Sequence, residues 1–270
     1  MSKTIPPRLP RGRAQLLRVL AASGDVIHIS AVTKVLSVSR VEAAKRLARW
    51  REQGWVNRVG SGAYVPASID TLGSERVLDD AWVLVPALFA PAYVAGRTAA
   101  EHWDLTEQIF RTTVVITQLT PRDRAPVIKG TNFLLCTVNE KKMFGLTTVW
   151  RDQIKVSVSD PTRTVLDLLA DPRLGGGIRS VGDMLENYLR SEKKNLNLLI
   201  EYADKLDNGA VFKRLGFLLE QHDPTETSVI EQCAKRLTKG NTSIDPIQPA
   251  ERLVSRWRLW VPAIWLKGVI

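Results

Sequence analysis

The sequence predicts an α+β protein. A small, strongly basic helical segment ends in a hairpin, and a larger mixed domain follows, first β-rich and then helical. Three observations carry this reading. The 270 residues are 44% hydrophobic and 24% charged, the composition of a soluble globular chain with a sizeable core. The net charge of +10 is unevenly spread: residues 1–68 hold 12 Lys and Arg against 3 Asp and Glu, and the remainder holds 26 against 25. Helical periodicity fills most of residues 11–53 and 160–240, whereas short alternating or apolar runs fill much of the stretch between.

Residues 11–23 place Leu16, Leu17, Leu20 and Ala21 at helical spacing and stop at Ser23-Gly24. After "VIHI", Ser30 is a suitable N-cap for a second helix over "AVTKVL". A three-residue turn follows, and Ser39 caps a third helix, Arg40 to Gln53. On that helix Ala43, Leu47 and Trp50 share one face, and Glu42, Lys45 and Arg49 share the opposite one. "WVNRV" and "AYVP" read as two strands closed by Gly60-Ser61-Gly62.

Helix, helix, turn, helix, hairpin is the order of a winged helix-turn-helix, and residues 1–68 are assigned to one, with a basic N-terminal arm. The apolar face seats the third helix on the other two and leaves a basic face exposed. An α-helix fits the major groove of DNA, and a hairpin tip reaches the adjacent backbone or minor groove. The residues assigned to DNA contact are Ser39, Arg40, Lys45, Arg46 and Arg49 on the third helix, Lys34 on the second, Arg58 beside the tip, and Arg11 and Arg13 in the arm. For Lys45 and Arg49 the alternative is a solvated helix face, against which the motif order and local charge weigh. Arg40 either meets a base edge or a phosphate or caps a neighbouring element, and Arg46 is placed for a phosphate. Glu42 either accepts from a cytosine amino group or pairs with Arg46 at i,i+4 spacing. Lys3 to Arg13 either follows the DNA backbone or is an unstructured terminus when DNA is absent.

Residues 69–270 form the mixed domain: β-rich over about 70–159, helical over about 160–240, with a C-terminal extension over 241–270. "SERVLDDAWVL" reads as helical, "AYVAG" as extended and "RTAAEHWDL" as helical. "TTVVITQ", "NFLLCTV" and "QIKVSVS" read as strands. Five helical segments follow, beginning with "PTRTVLDLLAD" and separated by Gly175-Gly176-Gly177, Asp207-Asn208-Gly209 and Asp223-Pro224. The apolar run Ala81 to Gly96 is short of a membrane span and is interrupted by Pro86 and Pro91, so it reads as core.

The segments "AYVAGRTAAEHWDLTEQ", "VSDPTRTVLDLLADPRLGGGIRSVGDMLENYL", "FKRLGFLLEQ" and "SRWRLWV", in that order, resemble the AbiEi-type antitoxins. The most specific parts are Pro161-x-Arg163-Thr164-x-x-Asp167 and Lys213-Arg214-Leu215-Gly216, and "VPAIWLKGVI" departs from the pattern by extending past the family's usual end. The resemblance implies an antitoxin of a type IV toxin–antitoxin system, paired with a nucleotidyltransferase-like toxin. It also implies repression of the chain's own operon through promoter inverted repeats, and neutralisation by the larger domain, commonly without a stable complex with the toxin. Arg163, Asp167, Lys213 and Arg214 are the residues it singles out for the antitoxin role.

Catalytic and cofactor chemistry finds little footing, and no enzyme, metal or cofactor is expected. Asp160-Pro161 reads as an N-cap with a first-turn proline, and Arg163 with Asp167 as an ordinary i,i+4 ion pair. The three glycines at 175–177 lack the Lys-Ser/Thr of a phosphate loop. His28, His102 and His222 show no metal-ligand spacing, and Cys136 and Cys233 stand far apart, without the spacing of a disulfide framework or zinc site. With no apolar signal-peptide core at the N-terminus, a reducing cytoplasm is the expected location. Trp257, Trp260 and Trp265 read as packing residues rather than a base-stacking platform. Arg111, Arg122, Arg124, Lys129, Lys141 and Lys142 form a second basic cluster, which either extends a DNA footprint, faces the toxin or its RNA substrate, or is a solvated surface. Two other functions stay open from the residues: a winged-helix regulator whose body senses a ligand or dimerises, and an antitoxin acting as a kinase on its toxin.

Overall fold

The structure, a computed structural model, describes residues 11–23, 26–60, 62–66, 80–128, 130–151 and 154–266. The arm upstream of Arg11, Ser61, the expected boundary at 68/69, most of "SERVLDDAWVL" and Lys129 lie outside the described residues. Contacts divide the chain into two compact units: residues 1–90 with 127–131 and 150–156, and residues 91–126 with 132–149 and 157–270.

The first unit opens with α1 (Arg11–Ser23), β1 (Ile27–His28), α2 (Ile29–Leu36) and α3 (Arg40–Glu52), then β2 (Val56–Gly60) and β3 (Ala63–Pro66). Strand β3 lies between β1 and β2 and is antiparallel to both. Leu16 and Val19 of α1, Ile27 of β1, Val32 of α2, Ala43, Leu47 and Trp50 of α3, and Val56 of β2 form one buried cluster. The face expected to seat the third helix therefore does so. Ser39 caps α3, accepting from the Glu42 N–H at 3.2 Å. The helix ends in a Schellman arrangement: Trp55 N–H reaches Trp50 O and Gly54 N–H reaches Arg51 O, both at 2.9 Å. Gly54 takes the left-handed position there, at φ +69°.

The start of α2 corrects the sequence expectation. The helix begins at Ile29, so Ser30 lies inside its first turn, and His28 holds the N-cap place without a side-chain bond. The chain passes straight from β1 into the helix, and Ile29 N–H is held by Gly62 O at 3.1 Å. Strand pairing, not capping chemistry, fixes this start. Farther along, the Asp80 carboxylate accepts from the Trp82 N–H at 2.8 Å, opening a 3-10 turn over Ala81–Leu84 that runs into α4 (Val85–Leu88).

Residues 92–159 supply a six-stranded mixed sheet: β4 (Ala92–Val94), β5 (Thr112–Thr117), β6 (Val127–Ile128), β7 (Thr131–Thr137), β8 (Leu146–Arg151) and β9 (Ile154–Ser159), in the order β6-β7-β5-β4-β9-β8. Strand β5 is antiparallel to β4 and parallel to β7, and β4 is parallel to β9. Strand β8 escaped the sequence reading because none of its side chains is fully buried, which leaves its alternation weak.

In the second unit α5 (Gly96–His102) follows β4, and the helical part comprises α6 (Pro161–Ala170), α7 (Ile178–Arg190), α8 (Leu196–Leu206), α9 (Gly209–His222) and α10 (Thr227–Lys235). Asp160 caps α6 through the Arg163 N–H at 2.7 Å, with Pro161 in the first turn. Every residue from Thr162 to Leu169 is buried, so α6 forms the centre of the unit. The glycines at 175–177 end a 3-10 turn and lead into α7, a loop as expected. The C-terminal extension is a small sheet of β10 (Thr242–Ser243), β11 (Arg252–Val254) and β12 (Leu259–Val261), ordered β10-β12-β11. Trp257 beside it packs on α9 at Gly216, where an added Cβ would lie 2.0 Å from the indole ring.

Candidate nucleic-acid interface

Helix α3 turns its apolar side inward, and its remaining surface is cationic. Arg40, Lys45, Arg49 and Arg51 are exposed, and Arg46 is half-buried. Arg46 Nε lies 3.1 Å from Glu42 Oε1. Of the two roles open to Glu42, the ion pair is the one formed in the free protein.

The residues nominated from sequence divide into groups. Arg46 and Arg49 of α3 and Arg11 of α1 line one open cleft of about 310 Å³, together with Gln15, Glu42, Gln53, Trp50 and Trp55. Three guanidinium groups and two amides against one carboxylate make this cleft suited to an anion such as a phosphodiester. Arg13 stacks instead on Trp55, with Cζ 5.7 Å from the ring centroid. Arg40 and Lys45 stand on exposed parts of α3, and Ser39 is occupied as its N-cap. Lys34 is exposed in the last turn of α2, and Arg58 is exposed on β2, paired in register with Tyr64. Gln15, Gln53 and Trp55 were not singled out from sequence, since the ends of α1 and α3 meet only in the fold. The exposed Val41 was also missed, although its position off the Ala43–Leu47–Trp50 stripe was a readable signal.

The four residues expected from the family resemblance to serve the antitoxin role lie inside the second unit. Arg163 is 0% exposed, and its pair with Asp167 is far from an ordinary surface i,i+4 bridge. Arg163 Nε donates to Asp167 Oδ1 at 2.9 Å, and Nη2 donates to the Tyr93 hydroxyl at 2.9 Å. The guanidinium also lies over the Phe144 ring at 4.2 Å. The physical reason is the position of α6, packed on all sides, so both members of the pair are desolvated together. Burial pushes the Asp167 carboxyl above its usual range, partly offset by Arg163. The Lys213 ammonium donates to Gly240 O.

Arg214, 5% exposed, contacts four main-chain carbonyls. Its Nη1 donates to Leu169 O at 2.8 Å and Ala170 O at 3.1 Å, Nη2 to Ser243 O at 2.8 Å, and Nε to Ile244 O at 3.0 Å. Two of these are terminal carbonyls of α6, so the cation sits at the negative end of the helix dipole and satisfies groups that the helix leaves unpaired.

Other nominated residues are placed plainly. Trp257 is fully buried and donates to Glu220 at 2.5 Å, Trp265 packs near Phe217, and Trp260 is partly exposed on β12. Arg111, Arg122, Arg124 and Lys141 are exposed, and Lys142 is half-buried. Among the described residues no group of three His, Cys, Asp or Glu side chains stands close enough to hold a metal ion, and no helix is long and apolar enough to cross a membrane.

No protein-family model matches the chain, and a search of curated proteins finds no match. By structure, the chain is similar to the crystal structure of the RV2827C protein from Mycobacterium tuberculosis. The TM-score is 0.59 at 14% identity, covering 97% of this chain and 95% of that one. Identity so low speaks for the fold alone: a mixed α+β architecture.

Proposed function

We propose that the first unit is a winged helix-turn-helix that binds duplex DNA, and that the protein is a regulator of the AbiEi antitoxin type. The observation that carries the DNA-binding part is α3. Its apolar side is spent on the core, and its free surface presents Arg40, Lys45, Arg49 and Arg51 beside a small sheet ordered β1-β3-β2. A cationic helix of this kind suits a groove lined by phosphates. The antitoxin part, with an encoded nucleotidyltransferase-like toxin as partner and autorepression through promoter inverted repeats, is supported by the ordered sequence motifs of the second unit. The reading assigns no catalysis to the protein.

The test is binding of the full chain to a labelled duplex from upstream of its own coding sequence, by fluorescence anisotropy at rising KCl. Neutralising about five phosphates gives a slope of log K against log salt near −4 to −5. Lys45→Ala with Arg49→Ala is expected to weaken binding by about 2–5 kcal/mol and to flatten that slope by roughly two units. Absence of binding at low salt, or an unchanged slope and affinity in the folded double variant, overturns the assignment.

A further inference from the structure

Beyond its cations, α3 carries a feature that phosphate binding does not need. Val41 is 67% exposed, among the most exposed large apolar side chains described. It is not isolated on the helix. Ala44 and Ala48 follow at i+3 and i+7, which places all three on one stripe beside the outward Lys45–Arg49 face, with the exposed Glu52 next to it at the helix end. Ala44 is exposed and Ala48 half-buried. Arg40 and Arg51 border the stripe on one flank, and Lys45 and Arg49 on the other. This side of the cationic helix thus carries a short run of small apolar side chains led by the exposed Val41, with long cations along both edges.

That cross-section matches a major groove, which has phosphates along both walls and base edges on its floor. Long cations on both flanks reach the two walls, while small side chains between them let the helix backbone approach the floor. The thymine C5-methyl is the apolar group that unmodified DNA presents there. Resting on the DNA-binding reading above, we propose that Val41 is a specificity-determining residue that contacts a thymine methyl in the bound half-site, with Ala44 and Ala48 permitting the close approach. Burying an isopropyl group against a methyl group favours thymine over cytosine at that position. A duplex lacking the methyl leaves Val41 facing a gap.

The experiment begins by selecting duplexes bound by the full chain from a random-sequence library. Each thymine of the selected site is then replaced, one at a time, by deoxyuridine, which removes only the methyl group. Wild-type protein is expected to lose about three- to fivefold in affinity at one or two thymines per half-site, the value of a single buried methyl. Val41→Ala should bind the parent duplex more weakly and show less than a twofold loss at those same positions. Because Val41 is exposed and alanine favours helix, the variant should unfold at or above the wild-type urea midpoint, which separates contact loss from misfolding. If every deoxyuridine duplex binds within twofold of its parent, or if Val41→Ala shows the same losses as wild type, Val41 does not read thymine while DNA binding stands. If the library yields no bound sequence, the DNA-binding reading fails and takes this inference with it.

Discussion

Replacing Arg214 by alanine tests whether the residues most specific to the family resemblance act on a partner or hold the fold. Arg214 donates four hydrogen bonds of 2.8 to 3.1 Å to the carbonyls of Leu169, Ala170, Ser243 and Ile244. At about 1 kcal/mol net for each, their loss amounts to roughly 4 kcal/mol, a large share of the 5–15 kcal/mol that holds a typical domain. Burial has already depressed the guanidinium's pKa, with Asp171 and Asp245 partly offsetting this, so the intact residue bears a desolvation cost that its removal gives back. The carbonyls left behind at the end of α6 keep the net effect destabilising, by about 3–5 kcal/mol. In a unit of this size the melting temperature should fall by roughly 6–20 °C.

Urea unfolding followed by far-UV circular dichroism measures the loss directly. Arg214→Lys keeps the charge but cannot spread donors across carbonyls on two elements, and is expected to recover less than half of it. On the proposed antitoxin reading, growth rescue from an induced nucleotidyltransferase-like toxin should then fall in step with stability across wild type, lysine and alanine variants. If Arg214→Ala unfolds within 1 kcal/mol of wild type yet abolishes rescue, the structural reasoning fails and Arg214 acts on a partner.

Two further outcomes check other parts of the account. The combined Arg40, Lys45 and Arg49 to alanine variant should derepress a reporter driven by the chain's own promoter, yet still rescue cells when toxin and antitoxin are expressed from unrelated promoters. Normal repression with lost rescue would reverse the assignment of the two roles. Stability should also fall at high pH. Burial pushes the Cys233 thiol up to about 12 from an ordinary 9.0 and raises the Tyr93 hydroxyl well above its usual value. Both groups are held protonated in the fold, so their contribution is fully present below pH 9 and is lost as pH rises through the folded values. Cys233 alone accounts for roughly 1.4 kcal/mol per pH unit between 9 and 12. Urea midpoints at pH 8, 9.5 and 11 measure the decline, and a flat series would contradict it.

What the sequence disclosed depended on how local the signal was. Helices α6 to α10 were readable because each repeats an apolar stripe over several turns, and α6, α8 and α9 are each closed by an Asp at the end. The inward face of α3 was readable for the same reason, and Ser39 because a cap is a three-residue matter. Ser30 misled because the same cap signal was overridden by β1 pairing with a strand more than thirty residues away. The cleft beside α3 was invisible, since Arg11 and Gln15 meet Arg46 and Gln53 only after α1 packs across the bundle. The depth of the Arg163–Asp167 pair was also hidden. Spacing gives the pair, but only the packing of Tyr93 and Phe144 around it gives its burial.

The two kinds of signal therefore point at different things. In the second unit the most specific motif residues, Arg163, Asp167, Lys213, Arg214 and Gly216, are buried, and each has a packing or hydrogen-bonding reason for its identity. Arg214 joins the end of α6 to the strand at Ser243 and Ile244, while Gly216 makes room for Trp257. Such residues specify a shape, and a resemblance built on them is first a statement about fold. In the first unit the informative residues are the exposed ones, because nothing in the core of α3 requires Arg40, Val41, Lys45 or Arg49. A side chain that the fold leaves free is set by what it meets outside, and on α3 those side chains combine positive charge with a narrow apolar line. On the reading proposed above, the cations of α3 answer the phosphates of duplex DNA, and Val41 is the side chain left to meet a base edge.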